Sequence, residues 1–598
     1  MLMGILIFIL ASLSQSWALY LMAYLLITGN VLKEIFHNLC RGIVFDENFL
    51  MLIATLGAFW IGDYVEAIAV MLLYEIGELF QDYAVSSSRR SISGLVDIRS
   101  DTAHVVRGSS TQTLPVEAVL VGEEIVVRPG ERIPLDGIVR SGESYLDTSA
   151  LTGESNLRFM AVGDRCWSGC INTNALLKLE VTSTAADSTV ARILELVENA
   201  ASKKASTEKF ITRFARTYTP MVVGFALLLA IVPPLLMGAD FSDWVYRSLV
   251  FLLASCPCAL VLSIPLGFFA GIGGASKQGI LVKGANYLEI LEQAHTVVFD
   301  KTGTLTKGNF VVHEIHPIGI SEASFLELAA YGESISNHPI AKSIVAAYGG
   351  DICEEELSEF EEIAGKGISI GVGGHRVMVG NASLMEHFQV EAGVVSAVGT
   401  VIYLAVDGIY RGYMLIGDEI KDSSKSAIAR LKSLGVERVV MLTGDNWAVA
   451  EQVATELGVD VVLAELLPHE KVAEVEALLA TVPPKKRLIF VGDGMNDAPV
   501  LARADIGVAM GGIGSDAAIE AADLVLMQDD PMALVAAILK SRHVNRLLKQ
   551  NIVFAIGAKI IIMLLSIMGL TTMWIAVFGD VGIAILAILN SIRALSNH

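Results

Sequence analysis

A chain of 598 residues has room for several domains, and 53% hydrophobic content with a mean hydropathy of +0.57 is too apolar for an ordinary soluble multidomain protein. A membrane class follows from composition alone. The formal net charge of −21 argues against nucleic acid as a partner.

Apolar residues crowd into 1–84, 216–273 and 551–594, whereas 85–210 and 280–548 read as soluble sequence. A span needs about 20 apolar residues to cross about 30 Å of hydrocarbon. About eight candidates lie near 2–14, 17–35, 48–62, 65–84, 216–237, 245–273, 551–569 and 573–592. The first is short, but no basic residue precedes Lys33 and no clear small-residue cleavage site follows it, which disfavours a cleaved signal peptide. Cytoplasmic loops carry the excess of Lys and Arg. Lys33 and Arg41 follow the second span, Arg89 and Arg90 the fourth, and Lys277 and Lys283 the sixth, while Arg542, Arg546 and Lys549 precede the seventh. This pattern places both soluble inserts and both termini on the cytoplasmic side. The six cysteines then sit on cytoplasmic or intramembrane stretches, where disulfides are not expected.

Residues 100–185 alternate apolar and polar side chains in short runs broken by Gly and Pro, as in 103–107 and 124–128, and predict a compact β domain. It contains Thr152-Gly153-Glu154-Ser155. Residues 186–215 turn to helical spacing and lead back into the membrane. The sixth span holds Cys256-Pro257-Cys258, where proline removes a helix hydrogen bond and opens the backbone. Broken helices at mid-membrane expose ligands to an ion, and two thiols there are candidate soft-metal ligands.

The second insert opens on 296–306, a buried strand ending in Asp300 and a Gly/Thr turn. Similar strand-to-acid turns recur at 439–445, ending in Thr443-Gly444-Asp445, and at 488–497, which holds Asp493, Asn496 and Asp497. Apolar strands alternating with helices predict a parallel sheet, whose sites lie at the carboxyl ends of its strands. Asp300, Thr443 and Asp493 would then converge at one edge. The stretch from about 308 to 415 breaks this pattern and reads as an inserted domain. Phosphoryl transfer through an aspartyl intermediate needs a carboxylate nucleophile, a divalent cation and donors for the equatorial oxygens. Asp300 supplies the nucleophile, Asp493 a hard oxygen ligand for Mg²⁺, and Thr443, Lys471 and Asn496 candidate phosphate donors.

In the last two spans Lys559 and Asp580 are ionisable groups in apolar sequence, and Glu75 and Glu78 stand in the fourth. Such groups default to functional hypotheses.

Asp300-Lys301-Thr302-Gly303-Thr304-Leu305-Thr306, Thr152-Gly153-Glu154-Ser155, Thr443-Gly444-Asp445 and the 492–499 string resemble the signature set of the P-type ATPases, in the family's order and across nearly the whole chain. Cys256-Pro257-Cys258 and His338-Pro339 resemble its heavy-metal-transporting branch, and Lys559 with Asp580-Val581-Gly582 its zinc-, cadmium- and lead-exporting members. The resemblance implies a phosphoenzyme formed from ATP on Asp300, with Thr302, Thr443, Asp445, Lys471, Asn496 and Asp497 in the catalytic centre and Mg²⁺ on Asp300 and Asp493. It implies that Glu154 aligns the water that hydrolyses the phosphoenzyme, and that the insert binds nucleotide through Glu333, His338, Gly365, Gly367 and Gly380. It further implies a transported Zn²⁺, Cd²⁺ or Pb²⁺ on Cys256, Cys258 and Asp580, Lys559 as built-in counter-ion, and Glu78 on an exit path. Two departures stand out. Asn156-Leu157 follow Ser155 where a proline often comes, and the 365–370 string lacks the third glycine of the family's glycine-rich pattern.

The expected fold is multidomain: an α-helical polytopic membrane domain of about eight spans, a cytoplasmic β-rich actuator domain, a Rossmann-like α/β phosphorylation domain of haloacid-dehalogenase type, and an inserted α+β nucleotide-binding domain. The expected boundaries are 1–87 for spans one to four, 88–205 for the actuator, 206–283 for spans five and six, 284–307 and 416–545 for the phosphorylation domain, 308–415 for the nucleotide domain and 546–598 for the last two spans. The resemblance also implies the plasma (inner) membrane of a bacterium. The family often carries a metal-binding domain before its first span, and none is expected in a chain beginning Met1-Leu2-Met3. The rival readings are a copper(I) exporter, separated by Lys559 and Asp580, and a membrane-anchored haloacid-dehalogenase-type phosphatase, which would need neither Glu154, nor intramembrane cysteines, nor a nucleotide insert.

Overall fold

The structure, a computed structural model, describes residues 2–40, 47–96, 100–108, 110–148, 157–191, 205–255, 258–336, 338–353, 357–363, 366–392, 400–493, 497–511 and 520–596. The chain divides into two compact units, Met1–Glu292 with Ala537–His598, and Gln293–Ala536.

The first unit holds the apolar helices and a β domain. Among its described residues, by length and composition, four helical stretches are long and apolar enough to cross a membrane: Tyr218–Met237, Phe241–Ser276 taken across the undescribed residues 256 and 257, Met532–Ile567 and Met573–Leu595. A fifth candidate is the pair Trp17–Ile27 and Gly29–Asn38, bent by 59°. The bend falls at Thr28-Gly29, where glycine weakens helix continuity. Met3–Ser14 and Asn48–Ile61 are apolar but shorter. Tyr64–Val96 is a 33-residue helix carrying Glu66, Glu75 and Glu78 in its first half. Helices thus occupy all eight regions expected to span, while length and composition qualify only four or five. Within the sixth region one helix ends at Ala254 and the next starts at Cys258; residues 256 and 257 lie outside the described ones.

The alternating pattern at 100–185 folds as expected. Thr102–Arg107, Glu124–Val127, Gly137–Ser141 and Leu177–Val181 join two further strands in a six-stranded antiparallel sheet, and Leu157–Met160, Ser144–Asp147 and Ile171–Asn172 form a smaller one. Every second residue turns inward: Ile125, Val127, Leu177, Leu179 and Val181 are almost fully buried. Cys166 and Cys170 join this core, and burial pushes both thiols up to about 12, so they stay protonated packing groups.

In the second unit the strands run in the order Leu524–Leu526, Ile506–Met510, Arg487–Gly492, Ala294–Asp300, Arg438–Leu442, Val461–Leu463, every neighbouring pair parallel. Most of these strands are near-continuous apolar runs, largely buried along their length, as a parallel sheet requires. The insert leaves on the strand Thr306–Pro317 and returns on Ile409–Ile420, which pair antiparallel from Thr306↔Ile420 to Pro317↔Gly412. The insert's edges therefore lie inside two continuous paired strands. They belong to a separate six-stranded antiparallel sheet against which the helices Glu322–Glu333 and Pro339–Tyr348 pack, with Phe325, Ala329, Ile344, Leu404 and Met414 in the core. This matches the expected α+β insert.

Candidate active site and membrane site

Asp300 ends the strand between Arg487–Gly492 and Arg438–Leu442, so the turns after all three strands share one edge of the sheet. That edge gathers several of the groups read from the sequence. Lys471, on the helix Pro468–Thr481, bonds Asp300 Oδ1, and its Nζ lies 3.2 Å from Asp497 Oδ1. Asp300 is 6% exposed and Asp497 2%. Burial, followed by the charge of Asp497, pushes the Asp300 carboxyl up to about 7 against the pull of Lys471. Asp497 is likewise raised, by burial first. Burial works against the charge on Lys471, yet the two carboxylates outweigh it and hold the ammonium above its usual value. Three aspartates crowd one lysine here: Asp493 also adds its charge to Asp300. This excess of hard anionic oxygens over fixed cations fits a divalent cation such as Mg²⁺.

Thr443 is buried, and its Oγ1 accepts from Asp445 N at 3.1 Å. Asp445 is ion-paired to Lys301. Thr302 is exposed on the same turn. Gly303 adopts φ +72°, and a Cβ there would come within 3.0 Å of Asp493 Oδ2, so both conformation and space call for glycine. Asn496 and Glu154 lie outside the described residues.

The structure adds a residue the sequence reading passed over. Lys421, 6% exposed, donates to the Gly303 carbonyl at 2.8 Å and to Asp529 Oδ1 at 2.6 Å, while Ser424 Oγ donates to the Leu305 carbonyl at 2.7 Å. Burial depresses the Lys421 pKa, opposed by Asp529. Together these bonds fix the turn behind Asp300. Lys421 lies beyond the whole insert from that turn, and no local motif marks it.

In the insert a cleft of about 290 Å³ is lined by Glu333, His338, Lys366, Gly367, Gly380 and Asn381 among others, a size suited to part of a small-molecule ligand. Glu333 is 7% exposed. Burial, with the charge of Glu362 second, pushes its carboxyl up to about 7. His338 caps the helix Pro339–Tyr348, its Nδ1 accepting from Ile340 N. Gly367 and Gly380 face each other across a strand pair, where a Cβ on either would meet backbone at 2.3 Å. Their first duty is therefore to the sheet. Gly365 lies outside the described residues, and the missing third glycine is the core residue Ile370, 1% exposed.

Within the membrane helices Lys559 Nζ lies 2.6 Å from Asp580 Oδ1. Lys559 is 7% exposed. Glu78 accepts from Tyr74 Oη at 3.1 Å, and Tyr74 also donates to Asn48. Cys258 heads its helix; its side chain and Cys256 lie outside the described set.

Residues 294–505 match the haloacid dehalogenase-like hydrolase family, and residues 97–198 the P-type ATPase actuator domain. The chain is 54% identical over 579 residues to the cadmium, zinc and cobalt-transporting ATPase of Bacillus subtilis (strain 168), covering 96% of this chain and 82% of that one. It is 53% identical to the zinc-transporting ATPase of Synechocystis sp., covering 96% and 80% respectively. A crystal structure of a zinc-transporting PIB-type ATPase in the E2.Pi state is similar at 35% identity and TM-score 0.63, over 100% of this chain and 99% of that one. With the carboxylate–lysine centre assembled at the edge of a haloacid-dehalogenase-like sheet and such identity along nearly its whole length, the chain belongs to the heavy-metal-transporting branch of the P-type ATPases.

Proposed function

We propose that this ATPase exports a soft divalent ion, Zn²⁺, Cd²⁺ or Pb²⁺, from the cytoplasm of a bacterium across its plasma membrane, through an aspartyl phosphate on Asp300. The observation that carries the choice of ion is the Lys559–Asp580 pair at 2.6 Å between two apolar helices. A carboxylate beside thiols suits a divalent ion far better than Cu(I). The ammonium limits the cost of a buried, unpaired Asp580 when no ion is held, and discourages a released ion from returning. Cys256 and Cys258 supply the soft ligands, Glu78 lines an exit path, and the helices form eight spans.

At the sheet edge Asp300 attacks the γ-phosphoryl of ATP, with Lys471 and Thr443 donating to its oxygens and Lys421 holding the turn. Asp300 and Asp493 would hold Mg²⁺, which when bound offsets phosphate charge. The 290 Å³ cleft takes the adenine end, with Glu333 and His338 at its polar wall.

The test is metal-stimulated ATP hydrolysis by the purified protein in lipid. Zn²⁺, Cd²⁺ and Pb²⁺ should activate and Cu(I) should do so poorly, and Asp580→Ala should remove the divalent response. If Cu(I) is the best activator and Asp580→Ala is silent, the copper reading replaces this one. ATP-dependent Zn²⁺ uptake into inverted vesicles separates a pump from a phosphatase without transport.

A further inference from the structure

Three helices that carry the proposed ion-site residues are joined at a buried carboxamide. Asn551, on Met532–Ile567, is 2% exposed. Its Nδ2 donates to the Ala587 carbonyl at 3.0 Å and to Ser591 Oγ at 2.8 Å, and its Oδ1 accepts from Asn590 Nδ2 at 2.8 Å. Ser591 passes the link on: its hydroxyl donates to the Ser263 carbonyl at 2.8 Å. Ser591 and Ser263 are both 0% exposed. One amide thus joins the helix bearing Lys559 to the helix bearing Asp580 and, through Ser591, to the helix that starts at Cys258.

The spacing ties this network to the ion pair. Asn551 precedes Lys559 by eight residues, about 12 Å along the helix, and Ala587 follows Asp580 by seven, about 10.5 Å on the antiparallel partner. The two contacts are rungs of one helix pair. Close packing backs the lower rung: a Cβ on Gly267 would meet Leu548 Cδ2 at 2.5 Å, and one on Gly271 would meet Val544 Cγ2 at 2.6 Å.

Apolar helices in lipid have little hydrophobic drive to hold one register, so polar contacts carry that burden. A slip of one residue shifts a helix by about 1.5 Å and turns its side chains by about 100°, enough to take Lys559 away from Asp580. An amide with every bond oriented resists such a slip where Leu–Ile contacts would not.

We propose that Asn551 is a positioning residue for metal binding: with Ser591 and Ser263 it fixes the register of the three helices and so keeps Lys559 opposite Asp580. This rests on the reading of Lys559 and Asp580 as part of the ion site.

The experiment compares wild type, Asn551→Leu, Asn551→Gln, Ser591→Ala, the Asn551→Leu/Ser591→Ala double variant and Asp580→Ala, each as the full chain in lipid. Two quantities are read: the Zn²⁺ concentration for half-maximal ATP hydrolysis, and phosphorylation by inorganic phosphate without Zn²⁺, which needs no bound ion. Asn551→Leu and Ser591→Ala should each raise half-saturation about three- to tenfold, the scale of an interhelical hydrogen bond in lipid. The double variant should add little to Asn551→Leu, Asn551→Gln should recover part of the affinity, and phosphate labelling should hold at the wild-type level. Unchanged half-saturation in Asn551→Leu and Ser591→Ala, beside an Asp580→Ala variant that has lost its Zn²⁺ response, overturns the positioning role and leaves the ion site standing. Equal loss of phosphate labelling and Zn²⁺ response would mark a merely structural role and also overturn it. An Asp580→Ala variant with a normal Zn²⁺ response removes the ion-site reading, and this inference with it.

Discussion

Asp300 combines two properties that pull against each other. A nucleophile must be ionised, yet burial and the neighbouring Asp497 raise this carboxyl to about 7, and Lys471 draws it back. Removing the charge should therefore end the chemistry without emptying the cleft proposed to take nucleotide, which lies on the separate sheet of the insert. Asp300→Asn is expected to abolish acid-stable, hydroxylamine-labile labelling from γ-labelled ATP while nucleotide binding persists, and undiminished labelling would refute the assignment. Glu333 is a second buried carboxyl, held up to about 7 by burial first and Glu362 second. The sign follows from the raised value: the folded protein favours the neutral form, and the benefit fades as pH rises through about 7. A neutral Glu333 donates a hydrogen bond, so ATP affinity should fall between about pH 6 and 8 in the wild type and stay flat in Glu333→Gln. Calorimetric titration with ATP across that range decides it; equal slopes for both proteins would exclude the role. Asp300, Thr443 and Asp497 were legible in the sequence because each stands at the end of a strongly apolar strand or in the turn after it. Lys421 was not, since 118 residues separate it from the carbonyl it holds at Gly303.

At the scale of elements, turn geometry matters more than the strands that deliver it. Gly303 sits at φ +72°, with room beside Asp493 for hydrogen but not comfortably for a methyl group. Gly303→Ala would incur roughly 1–2 kcal/mol for the left-handed conformation and would press on Asp493, the residue proposed to hold Mg²⁺ with Asp300. The outcome should be phosphorylation slowed about tenfold or more with a raised Mg²⁺ requirement, while the melting temperature moves little. Quench-flow labelling at several Mg²⁺ concentrations reads this out, and a normal rate at low Mg²⁺ would show the turn to be tolerant. The same conformational logic explains what pattern reading cannot supply. Glycines near 367 and 380 look like a nucleotide loop in sequence, and they do line the cleft, but the clashes they avoid are with sheet backbone. The apolar run at 17–35 reads as one span, and the structure bends it by 59° at Thr28-Gly29. Tyr64–Val96 shows the converse: its carboxylates dilute an apolar count, although the helix is continuous for 33 residues.

For the whole molecule, the separation of Asp300 and Glu154 into different compact units, the second and the first, is the feature with the widest mechanistic reach. Both belong to motifs evident in the sequence, but Glu154 falls outside the described residues, so its part in the cycle rests on chemistry and on the family. An acyl phosphate is reactive, and a pump gains nothing if water reaches it before the ion has moved. With Glu154 proposed as the group that aligns water, its place in another unit would make hydrolysis wait on a conformational step. Loss of Glu154 should leave phosphorylation intact, because Asp300, Lys471 and Asp497 form their centre without it. Decay of the phosphoenzyme should then slow by about 10²- to 10⁴-fold, the usual worth of a positioned base. In Zn²⁺-activated protein labelled with γ-labelled ATP and chased with unlabelled ATP, Glu154→Ala should accumulate label and keep it. Zn²⁺-stimulated turnover should collapse in parallel. Wild-type decay in that chase would mean that water is aligned by another group, and the division of labour between the two units would have to be redrawn.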